Sequence, residues 1–157
     1  WVRIETWPWK TSAFITRMAE DPEPYGIIEL PEGIGHASAL LQVVHQKYRS
    51  EGHHDEIPRL REKKSPPLNC YRLPFLQALW YLGAPGLSME NVEGFDQAGL
   101  LGAKNAGFRY IILYPSLYKL YEQEHVQRDL SGSIQALNRL LGSSIYRDDM
   151  LMVWELP

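Results

Sequence analysis

The chain has 157 residues, of which 45% are hydrophobic and 22% charged, so it is long and apolar enough for one domain with a buried core and is not a disordered tail. A formal net charge of -3 argues against general nucleic-acid binding, which needs a basic face. One cysteine, Cys70, excludes an internal disulfide, and no stretch reaches the ~18 apolar residues of a membrane helix.

In chain order, Val2 to Glu5 alternates apolar and polar, the pattern of an edge strand. Trp7-Pro-Trp9 reads as a turn. Thr11 or Ser12 is placed to cap a short helix with Phe14, Ile15, Met18 and Ala19 inward, ended by Asp21-Pro-Glu-Pro24. Tyr25-Gly-Ile-Ile-Glu-Leu-Pro31 reads as a short buried strand, broken by Pro31-Glu-Gly-Ile-Gly35. Ile34, Ala37, Leu40, Leu41, Val44 and Tyr48 then recur at helical spacing and predict a helix over about 35–48, with Gln42, Gln46 and Lys47 opposite and His45 beside them.

Residues 50–74 are polar and rich in charge and proline, a long excursion with little regular structure, of the length that is usually functional or mobile. Pro74 opens a helix to Leu82, stopped by Gly83-Ala-Pro-Gly86. Ser88 caps a predicted helix over about 89–106 that Gly107 ends; Gly94, Gly99 and Gly102 weaken it or admit another backbone. Phe108-Arg-Tyr-Ile-Ile-Leu-Tyr114 is the clearest strand, apolar enough to be covered on both faces. Pro115-Ser116 opens a helix with Leu117, Leu120 and Tyr121 on one side. Another starts at Asp129 or Ser131, carries Leu130, Ile134, Leu137 and Leu141, and closes at Gly142. Strands Ser144–Arg147 and Met150–Glu155 form a hairpin around Asp148-Asp149. The expected fold is α/β: one domain over 1–157, a small mixed sheet with 26–30 and 108–114 as central parallel strands, flanking helices and a C-terminal hairpin.

Several sites compete with plain structural explanations. His36, His45, His53 and His54, with Asp55 and Glu56, offer metal ligands, but no histidine pair has the three- or four-residue helical spacing of strong metal motifs, and no metal is assigned. Glu29 at a strand end suits a divalent ion in a nuclease-like site, but Pro31 stands where the lysine would be. There is no Gly-x-Ser-x-Gly elbow, and Cys70 lacks an adjacent histidine. Gly33-Ile-Gly35 lacks the third glycine of a dinucleotide loop, so no cofactor is expected. Trp7, Trp9, Tyr71, Trp80 and Tyr81 serve either as core or as platforms for sugars or lipid headgroups.

Four stretches together carry a resemblance: Tyr25–Pro31, Leu41-Gln-Val-Val-His-Gln-Lys47, Glu51-Gly-His53 with Arg59-Leu60, and Gly107-Phe-Arg-Tyr-Ile-Ile112. The set resembles the soluble carboxy-terminal region of bacterial polytopic membrane proteins related to dolichyl-phosphate-mannose–protein mannosyltransferases, the C-type membrane glycosyltransferases. The match runs from about 11 to 156, ending in Met150-Leu-Met-Val-Trp-Glu-Leu156. It departs from the family pattern at Leu41, Gln46 and Tyr48, which puts a glycine turn after His45 in doubt and lets the helix run to Tyr48.

The resemblance implies a piece of a longer membrane protein, on the extracytoplasmic face, with its own transmembrane region as partner. The family's catalytic acid lies in a loop between membrane helices, so the piece is not expected to be the catalyst. It implies a role in holding a glycan acceptor or a polyprenyl-phosphate sugar donor, with Gln42, His45, Lys47 and Arg59 as binding candidates, since amide and imidazole bond sugar hydroxyls and Lys and Arg meet phosphate. Equally, Gln42 and His45 fasten the long loop to the helix. A protein–protein interaction module and a free-standing metal-dependent hydrolase are the competing functions.

Overall fold

A computed structural model describes residues 12–31, 48–49, 73–118 and 128–157. Among these, strands β1 (Gly26–Leu30), β2 (Tyr48–Arg49), β3 (Phe108–Leu113), β4 (Tyr146–Arg147) and β5 (Met152–Glu155) form one sheet in the order β2-β1-β3-β5-β4. β2, β1 and β3 run parallel, β5 pairs antiparallel with β3 and β4 antiparallel with β5, so the fold is the expected mixed α/β sheet. Ile28 pairs with Ile111 and Leu30 with Leu113, which puts the two predicted strands side by side at the centre.

Alternation along these strands divides the core in two. Ile28, Leu30, Ile111, Leu113, Met152 and Trp154 face one way, towards helices α2 (Pro74–Leu79), α3 (Gln97–Asn105) and α4 (Leu130–Leu141). Ile27, Ile112, Leu151 and Val153 face helix α1 (Ala13–Glu20), which buries Phe14, Ile15 and Met18 against them. Every residue of β1 is buried, Glu29 included. A fully buried aliphatic side chain contributes roughly 1.5–3 kcal/mol, so β1 and β3 anchor both faces.

The helix ends follow local chemistry. Ser12 caps α1, its Oγ accepting from the Phe14 amide at 3.2 Å, and Asp21 stops it. Pro74 stands in the first turn of α2, where no amide hydrogen is needed. Asp96 caps α3 by accepting from the Gly99 amide at 2.7 Å. Gly142, at φ +84°, closes α4.

Five expectations are corrected. Ala19 points outward rather than into the core. Tyr48 lies in β2 and not on a helix, because its backbone pairs with Gly26 to extend the parallel sheet. Helix α2 ends at Leu79 instead of Leu82. Beyond it the Tyr81 and Leu82 amides bond three residues back, at 3.0 Å each, which tightens the chain into turns and leaves Trp80 45% exposed. The single helix expected over 89–106 is a 3-10 turn, Met89–Asn91, followed by α3. Gly94 divides them: its φ is +83°, and an added Cβ would lie 2.6 Å from the Pro74 backbone. The hairpin strands are shorter than expected, since Asp148 ties up the Met150 and Leu151 amides in the turn. Val2–Glu5, Trp7-Pro-Trp9, the body of the expected 35–48 helix, residues 50–72 of the 50–74 excursion, Leu120 and Tyr121 lie outside the described residues.

Candidate functional site

Gln42, His45, Lys47 and Arg59 all lie outside the described residues, as do the other four histidines, Cys70, Gly33 and Gly35. Of the residues weighed from sequence, Glu29, Trp80 and Tyr81 are described. Glu29 is 3% exposed and accepts a hydrogen bond from the Tyr114 hydroxyl at 2.9 Å. Trp80 and Tyr81 are exposed neighbours at the end of α2.

A groove of about 480 Å³ lies between the 83–90 loop and α4. Its position is set by backbone. Gly83, at φ +75°, offers its carbonyl to the Asp129 amide at 2.7 Å, and a Cβ there would lie 2.5 Å from Ser133 Oγ. The Asp129 carbonyl in turn accepts from the Ser133 amide at 2.9 Å and from its hydroxyl at 2.8 Å. Arg128 adds a bond from Nη1 to the Leu82 carbonyl at 2.9 Å. The loop is thus fastened to the first turn of α4 by groups that only glycine at 83 lets approach.

Phe95 and Met89, both nearly buried, join Leu140 and Ala136 in the apolar part of the lining. Phe95 is held from behind by stacking on Phe75, centroids 5.9 Å apart. The polar part is Gln135, Asp129, and an ion pair in which Arg139 Nη1 meets the Glu90 carboxylate and links the two walls. Asp129 occupies the cap position of α4 without a capping bond from its side chain, and Gly132 makes room for that carboxylate. The groove is an amphipathic cleft of the size of small-ligand sites. Sequence reasoning passed over it. The available signal was helical spacing along α4 beside and opposite its core face: Gly132 and Ala136 four apart, Gln135 and Arg139 four apart.

The opposite face holds the polar clusters. Asp148 Oδ2 accepts from Ser12 Oγ at 2.7 Å and from the Tyr146 hydroxyl at 3.0 Å, and its Oδ1 from the Met150 and Leu151 amides. Partial burial pushes this carboxyl up, but the four donors together outweigh it and hold it below the usual aspartate range. At the amino end of β3 a bulge sets Phe108 against Gly26 and Tyr110 against Ile27, leaving Arg109 as the extra residue. Its guanidinium packs on the Tyr25 and Tyr110 rings, at 5.2 and 5.0 Å, and reaches Glu155 at 3.0 Å, Glu23 at 3.3 Å and Asp21 at 3.4 Å. The hydrogen bond to Glu155 keeps Arg109 firmly charged. Burial, then the Asp21 carboxylate, pushes the Tyr25 phenol up, and burial does the same to Tyr110. Three carboxylates around one guanidinium make this a fastening between α1, β1, β3 and β5 rather than an anion site.

Among the described residues no three His, Cys, Asp or Glu side chains converge as a metal site, and no helix is long and apolar enough to cross a membrane. Comparison with known proteins finds no matching family model, no similar curated protein and no similar solved structure.

Proposed function

We propose that the chain is a non-catalytic, extracytoplasmic binding domain of a glycosyltransferase-like membrane protein, helping to hold a glycan acceptor or a polyprenyl-phosphate sugar donor. The observation that carries this reading is the pairing of β1 with β3. Tyr25–Pro31 and Gly107–Ile112, two of the stretches on which the family resemblance rests, are separated by residues 32–106, yet Ile27 to Leu30 align with Tyr110 to Leu113 as neighbouring central strands. These two stretches form one structural unit. The groove beside α4 adds a place where a small ligand can sit.

The reading is tested on the full-length parent in its native host. An epitope inserted after Pro157 should sediment with membranes, and external protease should remove it from spheroplasts without lysis. A soluble parent, or an epitope protected until the cells are broken, overturns the proposal.

A further inference from the structure

The groove between the 83–90 loop and α4 has three charged side chains on its walls. Arg139 is already matched by Glu90 across the cleft, so the pair is neutral as a unit. Asp129 remains, with its carboxylate exposed and uncapped. The net charge of the lining is therefore negative. A phosphate entering this space has to take Arg139 from Glu90 and then face two carboxylates at short range, which like-charge repulsion opposes. A purely apolar ligand makes no use of the Gln135 amide and the Asp129 carboxylate, which keep their water beside it. What fits both halves of the lining is an uncharged ring with an apolar face and a rim of hydroxyls. Its C–H face rests on Phe95, Met89 and Leu140, and its hydroxyls donate to Asp129 and exchange hydrogen bonds with Gln135. A cavity of about 480 Å³ accommodates one such ring with part of a second.

We infer that this groove takes a neutral pyranose of a glycan, the acceptor side of the chemistry, and not a phosphate-bearing donor. The inference rests on the reading of the chain as a glycan-holding domain and narrows it to one ligand class at one place.

The test is a two-dimensional amide NMR titration of the 157-residue chain with methyl glycosides of glucose, galactose and mannose, and in parallel with hexose 1-phosphates. At least one neutral glycoside is expected to shift amides of Gly83 to Glu90 and of Gly132 to Ala136 saturably. Gln135→Ala, an exposed helical position, is expected to weaken that response about five-fold, the loss of one hydrogen bond. Asp129→Asn, which keeps the shape and removes the charge, is expected to weaken it by a similar factor and to let the phosphates in. Groove shifts with the phosphates alone in the unmodified chain overturn the inference while leaving the glycosyltransferase-domain reading in place. No groove response to any neutral sugar, or a response indifferent to Gln135→Ala, also overturns it. The membrane and protease experiment decides the broader reading separately.

Discussion

The two faces of the sheet are held by different means. On the thick face, three helices bury a continuous apolar cluster that runs from Ile28 and Ile111 through Phe75 and Leu100 to Leu137 and Trp154. On the thin face, among the described residues, the eight-residue helix α1 supplies three buried apolar side chains, and polar ties accompany them: Ser12 to Asp148, Tyr114 to Glu29, Arg109 to its carboxylates. The comparison teaches where each kind of interaction is needed. Helix α1 docks through Phe14, Ile15 and Met18, and directional bonds at its two ends, Ser12 to Asp148 and Asp21 to Arg109, add to that burial. The thick face has apolar contact to spare, and its rim can be left open as a groove without loss of the fold.

The largest effect should come from breaking the thick face. Trp154 is 1% exposed, and its Nε1–H donates to Asn138 Oδ1 at 3.0 Å and to the Gly142 carbonyl at 3.2 Å, linking β5 to α4. Trp154→Ala removes a large buried ring and both bonds and is expected to cost about 3–5 kcal/mol in urea unfolding. A loss below about 1 kcal/mol would mean that α4 does not depend on β5 for its seat.

A smaller and pH-dependent effect is expected from the thin face. Asp148→Asn keeps an oxygen for the Met150 and Leu151 amides but turns an NH2 towards the Ser12 and Tyr146 hydroxyls, a loss of about 1–2 kcal/mol near neutral pH. The Asp148 carboxyl titrates lower in the folded chain than in the unfolded one, so the unfolded state binds its proton first as pH falls. Its contribution is present above the ordinary aspartate value of about 4 and disappears as pH falls through the lower folded value. Stability of wild type and Asp148→Asn, compared between neutral and strongly acidic pH, should therefore converge. A difference that stays constant would show that the carboxylate charge has no part in docking α1 to the hairpin.

How much of this was legible beforehand depends on whether a residue's role is local. The central strands were readable because unbroken apolar runs such as Tyr110-Ile-Ile-Leu113 leave no solvent face, and only a strand covered on both sides tolerates that. Caps at Ser12 and the closing glycines at 107 and 142 were readable for the same reason, since they act on their own turn. The division of 89–106 was not: the apolar spacing runs through Gly94, and the close approach of the Pro74 backbone that requires glycine there comes from twenty residues away. Nor was the role of Arg109, whose direction is set by a bulge opposite Gly26. The groove is the extreme case. Gln135, Asp129 and Glu90 are ordinary surface residues in the sequence, and long-range ties such as Gly83–Asp129 and Arg128–Leu82 bring them to one cleft.

The smallest effect on stability sharpens the comparison most. If the thick face stands on burial, the ion pair across its groove should be dispensable. Arg139 and Glu90 are 58% and 62% exposed, where ordering two long side chains and screening by salt offset most of the attraction. Arg139→Gln keeps the helical propensity of the site and should change urea stability by no more than about 0.5 kcal/mol. The groove should respond nonetheless, because Glu90, released from its partner, adds a second uncompensated carboxylate to a lining that already holds Asp129. Any hexose 1-phosphate should then bind even less well than in the unmodified chain, while a neutral glycoside keeps its place on Phe95 and Gln135. A loss of stability above about 1 kcal/mol would instead show that the pair clamps the 83–90 loop to α4, and that this face, like the other, is fastened by charge.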